Sequence, residues 1–557
     1  MKSATNEQVR FFTFIALGAF LCAGQAQRSP QRQAQRFDDL DVVIVGAGLS
    51  GLTAAYELEK VGKSFVILES RNRVGGRVWS RQMRSAATRR PQRFDVGGQW
   101  IGGTHESVLR LVDELDLELY NQHTLGRAVH VDQNGIRSIC GRHQCRSKVS
   151  RLGGNSNLLM DIDERQLLSR FESACRTVSP KKLMQDSRSE YWNTVTFNDW
   201  TAQKTWTGHS HDKLRFAFAM PFDMESENVS MLFTLMQLNS AGCNVSQLTT
   251  MTEDGALAHR IVGGAQTLAY ALLSRVPFGV VAYNSPVVAI RHQMQNARPV
   301  TVFTQTGRSF RASKVIVAVP PLLASQILYD PPLSDEKMQL LSNFRPSGSR
   351  SIFTFIFTYP EPFWRQGQFS GNGVFVARNV NETDAHQLLP SMFVFDASTP
   401  DDGWAVQGFA EFDPIWFTEH APSADARRQL YINQLETAFG LEMRQYLDFM
   451  DLNWSGERWS RGVIASTEPA VLSSDFPKLI REPTGNIHWA GTETATKWLN
   501  KINGAVEAGE RAALEIIHGS HGHNITDDDD HDSSTSLLTE GQRHLWNAVS
   551  WIENLFP

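Results

Sequence analysis

The chain has 557 residues, too many for one ordinary hydrophobic core, so we expect two or more domains or interleaved lobes. Hydrophobic residues make up 41% of the chain and charged residues 20%, which argues against general disorder and against a protein with many membrane spans. The formal net charge of −5 gives no field suited to nucleic acid or anionic lipid, so no nucleic-acid partner is predicted.

Residues 1–26 are predicted to be a signal peptide. Lys2 and Arg10 precede an apolar run over 11–22, and Gly24-Gln25-Ala26 has the small-x-small pattern of a signal-peptidase site. The run is shorter than the roughly 20 apolar residues that span a membrane, although an uncleaved signal anchor is the alternative. We therefore predict a secreted or lumenal protein whose mature chain has no membrane-spanning segment.

Glycosylation sequons and cysteines agree with a secretory route. The sequons lie at Asn228, Asn244, Asn381, Asn453 and Asn524. Cys22 would leave with the signal peptide, and an even number of cysteines remains, which is compatible with disulfides: Cys140, Cys145, Cys175 and Cys243. Cys140 and Cys145 are close enough in sequence to close a small loop. No ligand pair has zinc-finger spacing, so no metal site is predicted.

The mature chain is expected to begin with a strand–helix–strand unit. A buried-strand pattern covers 41–45, helical periodicity covers 49–61, and a second buried strand covers 64–68. A unit this compact requires a parallel pair of strands with a right-handed crossover.

Further elements follow in order along the chain. Arginines recur over 81–93, where we predict a solvated surface loop rather than a binding patch. Strands are expected at 280–283, 300–303 and 314–319, and an amphipathic helix at 424–439.

The C-terminal tail differs in composition from the rest of the chain. Residues 519–536 form an acidic linker, and apolar residues at helical spacing predict a terminal helix over 537–557. That helix could bind a partner or rest on lipid, but docking on the protein is the preferred interpretation. The histidines at 518, 521 and 523 are interpreted as an exposed tract rather than a metal site.

The turn after the first strand, Gly46-Ala47-Gly48-Leu49-Ser50-Gly51, has the pattern and the context of a dinucleotide site. Gly46 permits the tight turn, Gly48 leaves space for a pyrophosphate, and Gly51 lets helix and strand pack closely. The pyrophosphate would meet the helix N-terminus. Glu69, at the end of the second strand, is placed to accept hydrogen bonds from a ribose and would repel a 2′-phosphate, so NADP is disfavoured. The turn alone could serve NAD or FAD.

The sequence that follows favours FAD. Glu69-Ser-Arg-Asn-Arg-Val-Gly-Gly-Arg77 resembles the second fingerprint of FAD-dependent amine oxidases, in which the arginine approaches the pyrophosphate. Trp489-Ala-Gly-Thr-Glu-Thr-Ala-Thr-Lys-Trp498 and Asn503-Gly-Ala-Val-Glu-Ala-Gly-Glu-Arg511 also resemble family segments. With further ordered matches through the mature chain, the protein is identified as a divergent, secreted member of the flavin monoamine oxidase family.

The resemblance implies further contacts with the cofactor. The backbone of Phe94–Gly102, including Gly98, Gln99, Trp100 and Ile101, would run along the flavin, and Val287 would contact the adenine. Gly491, Thr492 and Glu493 would reach the pyrophosphate and ribityl chain. Contacts are also expected at Trp459 and Ile502.

The family also implies the fold class, which is α/β. A Rossmann-like FAD-binding domain would be interleaved with an α+β substrate domain that contains a mixed sheet. We assign 38–119, 256–323 and 454–518 to the FAD-binding domain, and 120–255 and 324–453 to the substrate domain. The sequence leaves the oligomeric state open.

Departures from the family concern the reactive face of the flavin. In monoamine oxidases a cysteine within Ser-Gly-Gly-Cys-Tyr bonds to the flavin, whereas the matching stretch here is Ser460-Arg461-Gly462-Val463-Ile464. Val463 has no nucleophile, so we expect FAD to be bound without a covalent link. Ile464 and Lys501 replace the two tyrosines of the aromatic cage and cannot offer its cation–π attraction to an alkylammonium. Lys501 would repel a protonated amine or attract a carboxylate, unless it points away.

The family lysine that holds a water at flavin N5 is matched by Gln326. Gln326 could still orient a water, or Lys501 could have taken over that role. Lys501, Gln326 and Ile464 are therefore the candidates that line the reactive face.

These residues lead to one principal function and two alternatives. The expected activity is oxidation of a small amine by FAD, with O2 as electron acceptor and H2O2 as product. The alternatives are an oxidase of amino acids or other carboxylate-bearing amines, which Lys501 would favour, and a secreted FAD-binding protein with weak or no turnover.

Overall fold

The computed structural model describes residues 40–519 apart from gaps at 87–90, 133, 142–144, 148–155, 180–182, 185–186, 207–227, 253–254, 294–298, 347–350 and 380–387. The predicted signal peptide, nearly all of the acidic linker and the C-terminal helix lie outside the described residues. So do the sequons at 381 and 524 and the histidines at 521 and 523.

Strands supply two large sheets and several short ladders. In chain order they are β1 (Leu40–Val45), β2 (Phe65–Leu68), β3 (Ser80–Met83), β4 (Gln92–Asp95), β5 (Leu119–Asn121), β6 (Arg127–Val131), β7 (Arg137–Cys140), β8 (Cys145–Ser147), β9 (His259–Ile261), β10 (Val281–Ala282), β11 (Val287–His292), β12 (Val300–Thr304), β13 (Ser309–Val317), β14 (Leu328–Asp330), β15 (Arg345–Pro346), β16 (Ser351–Thr358), β17 (Phe369–Phe375), β18 (Arg378–Asn379), β19 (Leu388–Leu389), β20 (Ser391–Asp396), β21 (Ala405–Phe412), β22 (Asp448–Asn453), β23 (Ala465–Ser466) and β24 (Ile487–Trp489).

The α-helices cover the sheets and connect them. In chain order they are α1 (Leu49–Lys60), α2 (Glu106–Glu114), α3 (Ser156–Thr177), α4 (Ser187–Thr194), α5 (Phe197–Lys204), α6 (Met231–Asn239), α7 (Val245–Thr249), α8 (Gln266–Ser274), α9 (Pro321–Ala324), α10 (Asp335–Asn343), α11 (Phe363–Gln366), α12 (Pro414–His420), α13 (Ala424–Phe439), α14 (Phe476–Arg481) and α15 (Ile502–His518). Within the described part of the chain, none of them is long and apolar enough to cross a membrane.

The first sheet carries the predicted dinucleotide-binding turn. Its strand order is β10-β2-β1-β13-β12-β11-β14, and β24 also pairs with β13. β1 runs parallel to both β2 and β13, which confirms the predicted parallel unit. β1 is almost wholly buried, as expected for a central strand covered on both faces.

Two helices from opposite ends of the chain pack together against this sheet. α1 follows the turn, and its last residue Lys60 is followed by Gly62 at φ +69°, a backbone conformation that ends a helix readily. α15 lies against α1 so closely that a Cβ on Gly509 would come within 2.2 Å of Ser50 O. α15, near the end of the described chain, therefore packs directly on α1, which lies near its beginning.

The second sheet is mixed, as predicted. Its order is β22-β16-β21-β20-β17-β6-β7-β8, with β17 and β6 parallel and the other neighbours antiparallel. The predicted helix at 424–439 is α13, which covers this sheet and stacks Tyr431 on Phe355 with ring centroids 4.2 Å apart. The predicted α/β fold class, a Rossmann-like domain interleaved with an α+β domain that contains a mixed sheet, is confirmed by this architecture.

The bounds assigned to the domains stay a prediction, and one strand departs from them. β14 pairs with β11 of the first sheet, although residues 324–453 were assigned to the substrate domain.

The solvated surface loop that was expected over 81–93 needs correction. The segment 81–93 begins and ends in an antiparallel ladder, β3 with β4, because Phe94 and Met83 bury their side chains there.

The cysteine pairing was left open by the sequence. The structure joins Cys175 to Cys243, with Cα atoms 5.6 Å apart. Cys140 is also disulfide-bonded, and the backbone pairing of β7 with β8 sets residue 140 opposite residue 145.

Candidate functional site

The glycine turn between β1 and α1 has the geometry expected of a pyrophosphate cradle. Gly46 adopts φ +103°, which only glycine takes readily, and turns the chain out of the sheet. A Cβ on Gly51 would lie 2.0 Å from Gly46 O, so Gly51 allows the close packing of helix on strand. A Cβ on Gly48 would meet nothing within 4 Å, because this residue borders open space.

Glu69 lies beside the turn and is held by backbone donors. One carboxylate oxygen accepts from Ala47 N at 2.8 Å, and the other accepts from Arg71 N at 2.8 Å. Burial raises the pKa of Glu69, while the two backbone N–H groups and the charge of Arg71 act in the opposite direction. Each carboxylate oxygen can accept a further hydrogen bond, as a ribose acceptor requires.

Arg77 and Glu493 form a largely buried ion pair in the same site. The guanidinium donates to both carboxylate oxygens, at 2.6 and 3.1 Å, and also to Val463 O at 3.1 Å. Glu493 is only 1% exposed. The bidentate pair fixes the plane of the guanidinium and leaves it N–H groups for a phosphate. Glu493 does not line the cavity itself and is joined to it through Arg77, while its predicted contact with the cofactor stays a prediction.

These walls enclose a cavity of about 470 Å³ that extends from the glycine turn to the second sheet. Most residues predicted from the sequence line it: Gly46, Gly48, Ser50, Glu69, Arg77, Gly98, Gln99, Trp100, Val287, Gln326, Trp459, Ile464, Gly491, Thr492, Lys501 and Ile502. Gly51, Ile101 and Glu493 do not line it. Ile101 is fully buried in the core and exchanges backbone hydrogen bonds with His259.

The far wall of the cavity comes from the second sheet and is largely apolar. Thr354, Phe393 and Phe409 contribute to it from β16, β20 and β21. Trp100 stands against this wall with its ring centroid 6.1 Å from that of Phe409, and its indole N–H donates to Gln122 Oε1 at 3.0 Å. A wall of this kind suits a small organic substrate with an apolar body.

Lys501 and Ile464, which the resemblance places at the positions of the tyrosine cage, both line the cavity. Lys501 is the N-cap of α15, so its charge and the helix N-terminus both make this end of the cavity electropositive. Ile464 is an aliphatic wall. The structure thus brings the departures predicted from the sequence into the same cavity, together with Gln326 on the opposite connection after α9.

His105 also lines the cavity and was not identified from the sequence. Its Nδ1 accepts a hydrogen bond from Gly102 N at 2.9 Å, so the neutral ring carries its proton on Nε2. Burial, then the positive charge of Lys501, lowers the pKa of His105 to about 3. The ring packs edge-on against Trp498, with centroids 4.3 Å apart. His105 is therefore a neutral neighbour of Lys501.

Arg71 and Glu457 were also missed, since they meet from distant parts of the chain. The only sequence signal for them was the place of Arg71 inside the second fingerprint. No local pattern marks Glu457, Thr354 or Phe409.

The residues present fit FAD. Open space at Gly48, acceptor capacity at Glu69 and an oriented guanidinium at Arg77 all border a single cavity, and they match a pyrophosphate and its ribose in chemistry. The α15 N-terminus and Lys501 border the same cavity.

Comparison with known proteins agrees with this site. The family model for flavin containing amine oxidoreductase matches residues 49–517. The probable flavin-containing monoamine oxidase A of Dictyostelium discoideum is 30% identical over 483 residues, which cover 86% of this chain and 97% of that protein. Flavin-containing amine oxidase B of Canis lupus familiaris is 27% identical over 490 residues, covering 86% of each chain.

Among solved structures, wild-type putrescine oxidase bound to putrescine superposes with a TM-score of 0.73 and is 26% identical. The match covers 86% of this chain and 99% of that one. The glycine turn, the two-sheet architecture and the Arg77–Glu493 pair agree with a family match over nearly all of the described residues. The chain therefore belongs to the flavin-containing amine oxidase family.

Proposed function

We propose that this flavin amine oxidase uses O2 as electron acceptor, binds FAD without a covalent link and acts on a small amine. When bound, FAD accepts the two electrons released as the amine C–N single bond becomes a C=N bond. O2 would then be reduced to H2O2, and water would hydrolyse the C=N product to an aldehyde and ammonia or an amine. The cavity that joins the Gly46–Gly51 turn to Lys501 and Ile464 carries the proposal.

The protein's own contribution is to orient the amine and exclude water. The apolar wall formed by Trp100, Phe393 and Phe409 would hold the body of the substrate. Lys501 disfavours binding of a charged ammonium, so the amine is expected to bind in its neutral form. Val463 lines the cavity at the position of the family cysteine, which supports non-covalent FAD.

A second candidate substrate class is favoured by Lys501. A cation at the electropositive end of the cavity, with the neutral His105 beside it, suits an amine that also carries a carboxylate, such as an amino acid. The third possibility, a protein that retains FAD with little turnover, follows from the loss of the cage and of the N5 lysine.

Anaerobic reduction separates the three functions. The purified protein is mixed with simple amines or amino acids without oxygen, and loss of the oxidised flavin absorbance is recorded, followed by peroxide release on admission of air. Bleaching by simple amines supports the principal proposal, and bleaching by amino acids alone supports the second. Bound flavin that no substrate reduces supports the third. Acid precipitation of the wild type should release FAD into the supernatant, whereas a covalent link would keep it in the pellet.

Secretion and glycosylation form a separate part of the proposal. The Cys175–Cys243 disulfide supports an oxidising compartment. Expression of the full chain in eukaryotic cells should deliver it to the medium with its N-terminus processed near residue 26 and a mass that falls on glycosidase treatment. Retention inside the cell without processing would argue against this route.

A further inference from the structure

A segment that follows the second sheet forms part of the wall of the cofactor cavity. Residues 454–465, which we term the strap, leave β22 of the second sheet and lead into β23. Half of the strap lines the cavity: Trp454, Arg458, Trp459, Ser460, Val463 and Ile464. The strap includes Val463, where the covalent attachment found in monoamine oxidases would otherwise form.

The middle of the strap is held by Arg71, which lies two residues after Glu69, the predicted ribose acceptor. The Arg71 guanidinium forms an ion pair with Glu457 and donates to Ser460 Oγ at 2.7 Å. The Arg71 and Glu457 side chains are only 11% and 19% exposed. Because water is largely excluded from this pair, its charges attract one another more strongly than those of a surface pair do.

Further contacts tie the strap along its whole length. At its start, Trp454 Nε1 donates to Val96 O at 2.7 Å. Near its end, Arg77 donates to Val463 O at 3.1 Å and Asn500 Nδ2 donates to Ala465 O at 3.1 Å. Every one of these partners belongs to segments that form the cofactor side of the cavity, so the strap is closed over the site from that side.

We propose that Arg71 and Glu457 are positioning residues that keep the strap closed and thereby set the rate at which FAD leaves the protein. The inference rests on non-covalent FAD, as proposed above. Glu457 does not line the cavity, so it can influence the cofactor only through Arg71 and the strap. The charge-assisted contacts of Arg71 with the strap would thus provide the retention that a covalent link provides in the monoamine oxidases.

The test measures FAD release from the holoenzyme of Glu457→Ala and Glu457→Gln. After dilution, free FAD is followed by its fluorescence, and the thermal midpoint of the FAD-free protein is measured in parallel. Loss of a charge-assisted hydrogen bond should speed release by at least about tenfold in E457A. E457Q, which keeps an acceptor for Arg71, should lie between E457A and the wild type. Ser460→Ala, which removes a single hydrogen bond, should have a smaller effect in the same direction.

A matched control comes from the second sheet. Arg427 and Asp451 form a comparable ion pair, with side chains 10% and 6% exposed, and neither residue lines the cavity. Asp451→Ala should lower the thermal midpoint and leave the rate of FAD release unchanged.

Three outcomes would overturn the proposal that Arg71 and Glu457 keep the strap closed. One is release from E457A within about twofold of the wild type, and another is equal acceleration in D451A, which would make the effect general destabilisation. The third is flavin that stays with the acid-precipitated wild type, which would remove the premise of non-covalent binding and would be recognised before any variant is compared.

Discussion

The backbone N–H of Gly491 donates a hydrogen bond to the buried hydroxyl of Ser50 at 2.9 Å, joining segments that are 441 residues apart. Ser50 lies in the first turn of α1, and Gly491 opens the connection between β24 and α15. The Gly46–Gly51 turn and the segment around Gly491 are thus joined directly by this hydrogen bond, as well as through the sheet.

Ser50→Ala is expected to lower both stability and FAD affinity. The substitution leaves the Gly491 N–H buried without an acceptor, which costs about 1–3 kcal/mol. Urea unfolding of the FAD-free protein and titration with FAD would measure the two effects. Ser342→Ala, which removes an exposed serine hydroxyl that bonds locally within α10, is the control and should change neither quantity. An unchanged S50A would mean that a water or another group satisfies Gly491.

Gly48→Ala and Gly51→Ala should separate cofactor binding from folding. A Cβ at residue 48 has free space, and its φ of −72° suits alanine, so G48A should unfold within about 0.5 kcal/mol of the wild type. FAD binding should be strongly weakened, because the new methyl group projects into the cradle. A Cβ at residue 51 would lie 2.0 Å from Gly46 O, so G51A should lose at least about 1–3 kcal/mol or fail to fold. Tight FAD binding by G48A would show that the pyrophosphate lies elsewhere.

The cofactor turn could be predicted because its chemistry is local. Gly46, Gly48 and Glu69 belong to one strand–helix–strand unit, in which spacing alone determines which atoms meet. The contact between Arg71 and Glu457 could not be predicted in this way, because it depends on where the segment that follows β22 packs in the folded chain. His105 was missed for a similar reason, since it reaches the cavity only through the packing of α2 beside α15.

Two other differences have the same physical origin. A run of arginines predicted a loop at 81–93, but the buried side chains of Met83 and Phe94 make its ends pair as strands. An even number of cysteines could not reveal that Cys175 of α3 reaches Cys243 beyond α6, because that depends on how the two helices pack.

Removal of the Cys175–Cys243 disulfide should destabilise the protein by about 4 kcal/mol. The bond closes a loop with a sequence separation of 68, and opening a loop of that size increases the entropy of the unfolded chain. Urea unfolding of Cys175→Ala/Cys243→Ala would measure the loss. Adding a reductant to the double variant serves as the control, since any further loss then reports the disulfide of Cys140. A double variant as stable as the wild type would contradict the prediction.

Lys337→Met should remove part of the dependence of stability on alkaline pH. Burial, followed by the charge of Arg511, lowers the pKa of Lys337 from 10.5 to about 7. Between these values the unfolded chain binds more protons than the folded protein, so this group makes stability rise with pH, by up to about 1.4 kcal/mol per unit. Below about pH 7 both states are protonated and the slope from this group vanishes.

Urea unfolding of the wild type and K337M between pH 7 and 10 would test this. Lys478→Met, which removes an exposed lysine from neighbouring α14, corrects for general loss of charge. Lys337 Nζ also donates to Leu479 O and lies 4.1 Å from the ring centre of Trp489, and both contacts favour the charged lysine. If they outweigh burial, the curves of the wild type and K337M will run parallel.

Lys501→Tyr tests whether the missing aromatic cage limits the oxidation of simple amines. A tyrosine face in the cavity would restore part of the attraction for an amine and remove the repulsive charge. Cation–π contacts contribute about 0.5–2 kcal/mol, so kcat/KM for simple amines should rise roughly 2- to 30-fold. Lys501→Met, which removes the charge and adds no ring, should raise it less. Lys497→Tyr, at an exposed lysine that pairs with Glu106 outside the cavity, is the matched control. If the second substrate class is correct, both Lys501 variants should instead lose activity with amino acids, because the carboxylate loses its cation. No change with either class of substrate would show that Lys501 has no role in substrate recognition.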